Sequence, residues 1–460
     1  MNTLTELNFL QPDQIKTDAA SIQYYGKDWT TYFDISSQAI LFPRKESELV
    51  SIVQWARKNH ISLIPSGGRT GLSGAVCATK GEVVVSMEQM NRILDFNAMD
   101  NTVTVEPGVI TESLQKFAEE KGLYFPVDFA SRGSSQIGGN ISTNAGGIKV
   151  LRYGMMRDWV ASLRVVTGSG EVLELNKSLI KNATGYDLRQ LFIGAEGTLG
   201  FISQATVRLT NPPAPLRVLL MGVDDLDAVM KIFSHFKRHL PLTAFEMFSN
   251  KAMDYVAQST GLARPLETVS QYYLLAEVEC PSSTEEEKIL EAFEKVLEEG
   301  WVQDGVLNQS EQQSKIFWRF REDISEALSK YSPYKNDISV KISDVPSLMK
   351  DLDAVLSKNY PTYEVVWFGH IGDGNLHISI LRPEGMTKEE FVKSCQMVDQ
   401  NVFTVIQKYH GSISAEHGVG LTKKKFLHFT RSAEEITLMK GIKKLFDPDG
   451  ILNPGKVFDL

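Results

Sequence analysis

The spacing of apolar and polar residues in the first part of the chain predicts helices and short strands in alternation. Apolar residues within 49–56 recur every three or four positions behind two glutamates, which predicts an amphipathic helix. Short runs rich in β-branched residues follow at 61–64, 83–85 and 103–105, and each predicts a strand. Local pattern alone therefore predicts a region of mixed helix and strand.

The proline-rich segment 211–215 is the clearest predicted boundary in the chain. Beyond it the sequence becomes helix-rich and charged, with few glycines. Residues 284–299 predict an acidic amphipathic helix with a solvated face. Capping boxes at 387–390 and 432–435 predict the starts of two further helices, the second of which ends at Asp447-Pro448.

A hairpin with a histidine on each arm is predicted between residues 365 and 377. Apolar residues 365–368 lead into His370, and the sequence Gly-Asp-Gly-Asn at 372–375 is typical of a tight turn. The hairpin would bring His370 and His377 to the same end of a sheet. Two imidazoles and a carboxylate such as Glu416 form a ligand set with open coordination positions. Alternatively, 372–375 is only a turn that two histidines flank by chance.

Glycine-rich segments at 65–74, 133–147 and 194–200 follow or separate predicted strands. Glycine permits close approach of the backbone to a large ligand, and successive N–H groups can bind a pyrophosphate. This favours a nucleotide cofactor, although the glycines could instead only mark tight turns. Neither GxGxxG nor GxxxxGK[ST] is present, so neither a Rossmann motif nor a P-loop is predicted.

Composition restricts the classes of partner and the compartment. The chain has 460 residues, a net charge of −9 and 23% charged residues, which argues against broad binding of nucleic acid or anionic membranes. Cys77, Cys280 and Cys395 form no CxxC pair, which fits a reducing compartment. The N-terminus lacks the pattern of a signal peptide, and no apolar run reaches the ~20 residues of a membrane span. We therefore expect a cytoplasmic protein.

Ordered motifs at 137–147, 152–154, 182–188, 194–200, 372–377 and 452–456 carry a family resemblance. The chain resembles the flavin oxidoreductases of the vanillyl-alcohol oxidase (PCMH-type) superfamily, specifically the FAD-linked D-2-hydroxyacid dehydrogenases. The resemblance runs from about Tyr25 to the C-terminus. It implies oxidation of a D-2-hydroxy acid to the 2-oxo acid, with D-2-hydroxyglutarate ahead of D-lactate or glycolate.

The resemblance also implies an α+β fold in three parts. Residues 1–212 would form a PCMH-type FAD-binding domain of two α/β subdomains. Residues 213–400 would form an α+β substrate (cap) domain with an antiparallel sheet and the metal site. Residues 401–460 would form a helical segment that packs back on the FAD domain.

FAD is the cofactor that the resemblance implies. Some relatives attach it through a histidine in the first glycine loop, where this chain has Arg69-Thr70, so we expect non-covalent FAD. The residues that the resemblance assigns to FAD are Pro65, Ser66, Gly67, Gly68, Arg69, Thr70, Gly71, Leu72, Gly74, Ala75, Pro107, Gly108, Asp128, Ser131, Gly133, Ser134, Gly138, Gly139, Asn140, Thr143, Asn144, Gly146, Gly147, Gly154, Glu196, Gly197, Gly200, Ile202 and Asn453.

By the same resemblance, His370, His377 and Glu416 are ligands of a divalent metal, and His417 is the general base. Zn²⁺ is the first choice, with Mn²⁺ and Fe²⁺ as alternatives for the same ligand set. A metal-bound hydroxyl has a lowered pKa, and a histidine within reach could take its proton. Alternatively, His417 contacts the flavin or is structural.

Substrate binding is assigned to Arg321, Ser325, Lys335 and Ser379. Arg321 and Ser325 are four residues apart in a helix predicted over 317–328, so they would share a face. Unaided, the sequence favours ordinary surface positions for Arg321 and Lys335, and the resemblance reverses this. Two departures from the family are Ser379, where relatives usually have asparagine, and Lys341, where they often have proline. Lys341 would either add a cation near the site, which could suit a diacid, or simply be exposed.

Two other classes of function stay open at this point. A zinc hydrolase would use the same histidines and glutamate to activate water. A non-catalytic flavoprotein subunit would only pass electrons to a partner. The expected partners of the enzyme are a small 2-hydroxy acid and an electron acceptor such as an electron-transfer flavoprotein, a quinone or a cytochrome. A homodimer is also expected, without nucleic acid or a membrane span.

Overall fold

The computed structural model describes residues 3–30 and 32–460. The chain folds into two compact units. Unit 1 consists of the chain up to Gly147, Gly154–Pro212 and Glu416–Leu460, and unit 2 consists of Ile148–Tyr153 and Pro213–Ala415. Unit 2 continues past the predicted boundary at residue 400 because that residue lies inside a long helix, Lys388–Lys408.

Unit 1 contains two sheets of different type, and all labels here number the elements along the chain. The first has β1 (Ile15–Lys16), β2 (Ser37–Leu41), β3 (Leu63–Ser66) and β4 (Glu82–Ser86) in the order β1-β2-β4-β3. In it β2 and β3 pair with β4 in parallel. The second, antiparallel sheet has β5 (Ile93–Asn97), β6 (Thr102–Val105), β7 (Val160–Thr167), β8 (Val172–Leu175) and β9 (Gly200–Arg208) in the order β5-β6-β9-β7-β8.

The α-helices of unit 1 are α1 (Ala19–Tyr25), α2 (Glu46–Asn59), α3 (Thr111–Glu120), α4 (Ile137–Thr143), α6 (Met156–Trp159), α7 (Arg189–Phe192) and α15 (Ala433–Phe446). Helix α2 is the one predicted at 49–56, and it buries its apolar stripe with Trp55 in the core of the first sheet. It ends at His60, whose left-handed backbone has φ 53°. The strand predicted at 61–64 begins two residues later, at Leu63.

Unit 2 is built on one antiparallel sheet. Its strands are β10 (Leu216–Val223), β11 (Leu242–Ser249), β12 (Tyr272–Glu279), β13 (Asp304–Leu307), β14 (Tyr334–Ser339), β15 (Val365–Gly369) and β16 (Asn375–Ile380). They lie in the order β13-β10-β12-β11-β15-β16-β14. The helices are α5 (Val150–Tyr153), α8 (Leu226–His239), α9 (Asn250–Thr260), α10 (Ser283–Glu298), α11 (Glu311–Glu322), α12 (Ile324–Ser329), α13 (Val345–Asn359) and α14 (Lys388–Lys408).

Helices α9, α11 and α12 cover one face of this sheet. Their apolar side chains form a core with strand residues such as Phe248, Val366 and Phe368. The separate segment Ile148–Tyr153 belongs to unit 2, and both of its cations pair with β12. The Lys149 ammonium pairs with the buried Glu277, and Arg152 Nε lies 3.5 Å from Glu279.

The prediction of a single helix over 317–328 is wrong. Helix α11 ends at Glu322 and α12 begins at Ile324, because the intervening Asp323 has ψ near 0° (φ −76°, ψ −3°). Both predicted capping boxes are confirmed, Thr387 with Glu390 and Ser432 with Glu435. Among the described residues, no helix has the length and apolar character that crossing a membrane requires.

Candidate functional site

The hairpin of β15 and β16 brings His370 and His377 together, as its turn sequence predicts. Phe368 pairs with His377 across the strands, and His370 stands one residue beyond the end of β15. The two imidazole centroids are 5.5 Å apart, and a ring nitrogen of each lies within 4.8 Å of the other. Gly374 has φ +85°, and a Cβ there would lie 2.2 Å from the Val340 carbonyl oxygen. Glycine is therefore required in this turn.

Glu246, which the sequence did not single out, lies beside His370. Its side chain is 1% exposed in the middle of β11. The carboxylate accepts a hydrogen bond from Arg321 Nε at 2.8 Å and lies 2.9 Å from His370 Nδ1. Burial raises the pKa of the Glu246 carboxyl, but the neighbouring imidazole and guanidinium outweigh burial and hold that pKa below its ordinary value. Arg321 is thus a buried residue in an ion pair and not a surface residue.

Asp337 is the corresponding carboxylate beside His377. The two residues face each other across β14 and β16, and Asp337 Oδ1 lies 3.7 Å from His377 Nδ1. This separation is too long for a hydrogen bond. Asp337 also accepts hydrogen bonds from Asn375 Nδ2 at 2.9 Å and from the Ala415 backbone N–H at 3.1 Å. One buried carboxylate therefore anchors both the hairpin and the end of unit 2.

Glu416 and His417 follow Ala415 directly in the chain and begin the last segment of unit 1. Both residues are partly buried. The next residues are held by Glu196, whose carboxylate accepts N–H groups from Val419 at 2.7 Å and Gly420 at 2.8 Å. Burial raises the pKa of the Glu196 carboxyl. The side chain of Glu196, which the resemblance assigns to FAD, thus stabilises the loop that follows His417.

Lys335 and Ser379 lie opposite each other on β14 and β16, two residues along these strands from Asp337 and His377. In the described part of the chain, Lys335 has no ion-pair partner and the buried Ser379 hydroxyl has no hydrogen-bond partner. Burial lowers the pKa of the Lys335 ammonium. A cation that is desolvated without a counter-ion costs free energy in the empty protein and is suited to an anionic ligand.

One expectation about this site is corrected and one open alternative is decided. Ser325 does not share a face with Arg321, because the helix is interrupted at Asp323 and Ser325 is exposed while Arg321 is buried. Lys341 precedes a short 3₁₀ helix (Ile342–Asp344) and is also exposed. Of the two alternatives for Lys341, an extra cation near the site or an exposed residue, the structure supports the second.

Some glycines of the unit 1 loops lie in close contact with other parts of the protein. A Cβ on Gly68 would lie 2.1 Å from the Ser134 carbonyl oxygen, and one on Gly138 would lie 2.6 Å from Pro107 Cβ. These glycines are required by contacts within the protein. Gly139 differs, because a Cβ there would meet no described atom within 4 Å. Open space for a ligand therefore lies at the start of α4.

Several buried polar atoms around these loops have no hydrogen-bond partner among the described residues, and they include the oxygens Ser66 Oγ, Gln136 Oε1 and Asn453 Oδ1. Asn453 Nδ2 donates to the Ala75 carbonyl at 3.0 Å and the Glu196 carbonyl at 2.7 Å, so it connects the first and third loops. Buried polar atoms are usually satisfied. These unsatisfied atoms fit a polar ligand such as a dinucleotide. Gln136 lies inside the second glycine-rich segment, 133–147, but the resemblance did not assign it to FAD.

Comparison with known proteins identifies the ligand class. A family model described as FAD linked oxidases, C-terminal domain, matches residues 212–457, and one described as FAD binding domain matches residues 37–176. The first model covers more than half of the chain. The chain belongs to the FAD-linked oxidase family.

This FAD-linked oxidase has close sequence relatives. It is 56% identical over 449 residues to a D-2-hydroxyglutarate dehydrogenase of Stutzerimonas stutzeri, which covers 98% of this chain and 97% of the relative. It is 49% identical over 446 residues to a D-2-hydroxyglutarate dehydrogenase of Xanthomonas citri pv. viticola, with 97% and 94% covered. The solved structure of p-cresol methylhydroxylase with substrate bound is similar with a TM-score of 0.79, 14% identity, and 99% and 96% covered, which shows the fold alone.

These matches confirm the PCMH-type α+β fold and FAD as the cofactor of this FAD-linked oxidase. They also confirm a flavin oxidoreductase over a zinc hydrolase. The metal, the role of each site residue, the electron acceptor and the oligomeric state stay predictions.

Proposed function

We propose that this chain oxidises D-2-hydroxyglutarate to 2-oxoglutarate. The observation that carries the proposal is the partly buried Lys335 ammonium opposite the buried, unsatisfied Ser379 hydroxyl, on the strands that bear Asp337 and His377. Two residues along a strand span about 6.6 Å. That distance is comparable with the span between the C2 hydroxyl and the far carboxylate of an extended five-carbon diacid. The two relatives named above support the same substrate.

Each end of the substrate would meet a different set of groups. Arg321 has two Nη nitrogens beyond the Nε that Glu246 occupies, and it could bind one carboxylate end-on. Lys335 would bind the second carboxylate, and Ser379 could donate its hydroxyl hydrogen. A methyl group, as in D-lactate, would leave the partly buried ammonium and the buried hydroxyl unpaired, which disfavours binding.

We also propose that His370, His377 and Glu416 hold a divalent cation, Zn²⁺ first. The donor set fits, because two imidazoles and a carboxylate leave open positions for a hydroxyl and a carboxylate oxygen of the substrate. When bound, the cation would supply a lowered pKa for the substrate hydroxyl. His417 would then accept that proton as general base, while Asp337 and Glu246 keep the two ligand histidines in place.

Bound FAD would supply the hydride acceptor for the C2 hydrogen. Around it, Ser66, Gln136 and Asn453 would offer the polar atoms that lack partners within the protein. The C2 carbon can release a hydride only when a base accepts the proton of the hydroxyl group. His417 therefore decides the rate of the reductive half-reaction, and its replacement by alanine should reduce that rate without removing the flavin.

The test is anaerobic reduction of the flavin. The holoprotein is mixed with D-2-hydroxyglutarate, L-2-hydroxyglutarate or D-lactate, before and after treatment with EDTA. Rapid bleaching by D-2-hydroxyglutarate, which EDTA abolishes and Zn²⁺ or Mn²⁺ restores, is expected. Faster bleaching by D-lactate would contradict the substrate, and bleaching that EDTA leaves unchanged in metal-depleted protein would contradict the metal.

A further inference from the structure

Glu246 is a carboxylate in the buried interior of the unit 2 sheet. It lies between Phe245 and Met247 in β11, an interior strand of the sheet, and both neighbours are at most 1% exposed. A carboxylate in such surroundings is destabilising unless it is paired and hydrogen-bonded. Its partners are Arg321 and His370, which lie 75 and 124 residues away in sequence.

The contacts of Glu246 define which nitrogen of His370 carries hydrogen. An ionised carboxylate only accepts, so the Nδ1 atom 2.9 Å away must be the donor. In the neutral imidazole, Nε2 then keeps its lone pair, which a metal ligand needs. Arg321 Nη2 lies 3.5 Å from the same Nδ1, but both atoms are donors, so this contact is not a hydrogen bond.

The same carboxylate also fixes the rotation of the Arg321 side chain. Because Nε donates to Glu246 at 2.8 Å, the edge of the guanidinium that carries Nε faces β11. The Nη1 and Nη2 end is left for another anion. The ring of Phe368 lies 5.2 Å from the guanidinium carbon and restricts movement in the remaining direction.

We propose that Glu246 is a positioning residue that orients His370 for a metal and Arg321 for a substrate carboxylate at the same time. The inference rests on the proposed function, since it needs His370 to be a ligand. Glu246 itself would touch neither metal nor substrate. Through this one carboxylate, the orientation of the metal ligand depends on the orientation of the substrate-binding arginine.

The informative variant is Glu246→Gln, which keeps the shape and removes the charge. Arg321 can only donate, so the amide oxygen will face Arg321 and the amide NH₂ will face His370. Nδ1 then becomes an acceptor and the hydrogen moves to Nε2, where it blocks the ligand lone pair. Loss of such an outer hydrogen bond typically lowers metal affinity about 10–100-fold.

Glu277→Gln is the matched control. Glu277 lies on the adjacent strand β12, is 3% exposed, and pairs with one cation, Lys149. Its other hydrogen-bond partners are the Thr243 hydroxyl and Trp318 Nε1, the latter at 3.0 Å. None of these contacts involves His370 or His377. The two variants therefore remove equally buried charges from one sheet.

The experiment measures Zn²⁺ affinity of EDTA-treated wild type and both variants by competition with a chelating dye, with flavin content as the control for folding. The metal-free proteins are also labelled with ¹⁵N-histidine to record the tautomer of His370 by two-bond ¹H–¹⁵N correlation. We expect a 10–100-fold loss of affinity and an Nε2-H tautomer in Glu246→Gln, and wild-type values in Glu277→Gln. Equal affinity in all three proteins, or equal loss in both variants, would overturn the role of Glu246. Absence of stoichiometric Zn²⁺ in the wild type would instead overturn the metal site.

Discussion

Lys335 and Ser379 lie directly opposite each other on neighbouring antiparallel strands, and neither polar group has a partner among the described residues. Such an arrangement is unfavourable in the empty protein, because a partly buried ammonium loses part of its water and a buried hydroxyl loses its water without replacement. Binding of an anion would remove both costs. Substitution of Lys335 should therefore affect substrate affinity and stability differently, so that the two effects can be measured separately.

Lys335→Met should weaken the binding of D-2-hydroxyglutarate and leave the fold intact or stabilised. A hydrogen bond to a charged group contributes about 1.5–3 kcal/mol, so KM should rise about 10–100-fold. D-lactate, which lacks the second carboxylate, should lose much less. Thermal unfolding should occur at the same temperature or higher, because a partly desolvated charge without a counter-ion is removed. Lys341→Met, a nearby exposed lysine, is the control and should change neither KM nor Tm.

The pH dependence of KM should report the same ammonium. Burial lowers the pKa of Lys335 below 10.5, so the free protein loses this charge at a lower pH than an exposed lysine would. KM for the diacid should rise as pH increases through that lowered pKa. Substrate affinity should therefore fall with pH, whereas the contribution of Lys335 to stability should rise. Between the lowered pKa and 10.5 the unfolded state binds more protons than the folded state, so the free energy of unfolding increases with pH.

Lys335→Arg is the variant that tests this assignment, because an arginine stays protonated throughout this range. Its KM should stay flat where that of the wild type rises. Steady-state kinetics at saturating acceptor from pH 7 to pH 10 give both profiles. An identical alkaline rise in the wild type and the arginine variant would assign the effect to another group.

Lys443 joins the C-terminal segment of unit 1 to its third glycine loop. Its buried ammonium donates to the Thr198 carbonyl at 2.8 Å, the Leu452 carbonyl at 2.8 Å and Asp447 at 2.6 Å. Lys443→Met leaves two carbonyls and a carboxylate without this donor. Removal of one partner of a buried pair costs about 3–5 kcal/mol. Urea unfolding should show that loss together with weaker FAD retention, while the exposed neighbour variant Lys444→Met should resemble wild type.

The parts of the site that are local in sequence could be predicted. His370 and His377 are seven positions apart, and the turn between them follows from glycine and asparagine chemistry, so the hairpin is specified by neighbouring residues. The glycine loops were recognisable as well, although Gly68 and Gly138 are required by contacts within the protein and Gly139 lies beside open space.

Long-range partners could not be predicted from local pattern. Asp337 and Glu246 reach the histidines only through strand order, which no periodicity reveals. A charged residue within an otherwise apolar strand, as in Ala244-Phe245-Glu246-Met247-Phe248, was the available signal of a buried pair. The interruption at Asp323 could not be predicted either, because the apolar stripe continues through it and only the backbone conformation reveals the break.

Glu196→Gln should loosen the loop that follows His417. Each carboxylate oxygen accepts one backbone N–H, from Val419 at 2.7 Å and from Gly420 at 2.8 Å. An amide has a single acceptor oxygen, so one N–H would face an NH₂ group and lose its hydrogen bond. A buried donor without a partner costs about 1–3 kcal/mol, which corresponds to an increase of about 5- to 150-fold in local opening.

Amide hydrogen exchange of the holoprotein at Val419 and Gly420 should accelerate by that factor, and kcat should fall because the proposed base His417 is less well held. Gly418→Ala disturbs the same contact from the other side, since its Cβ would lie 2.9 Å from Glu196 Cδ at a φ of +77°. The control is Glu82→Gln, a carboxylate 3% exposed that ion-pairs with Lys456 at 3.6 Å in the same unit. Glu82→Gln should cost stability without faster exchange at Val419 and Gly420. If Glu196→Gln lowers kcat while exchange at these two amides stays at the wild-type rate, Glu196 acts on the reaction by some route other than this loop.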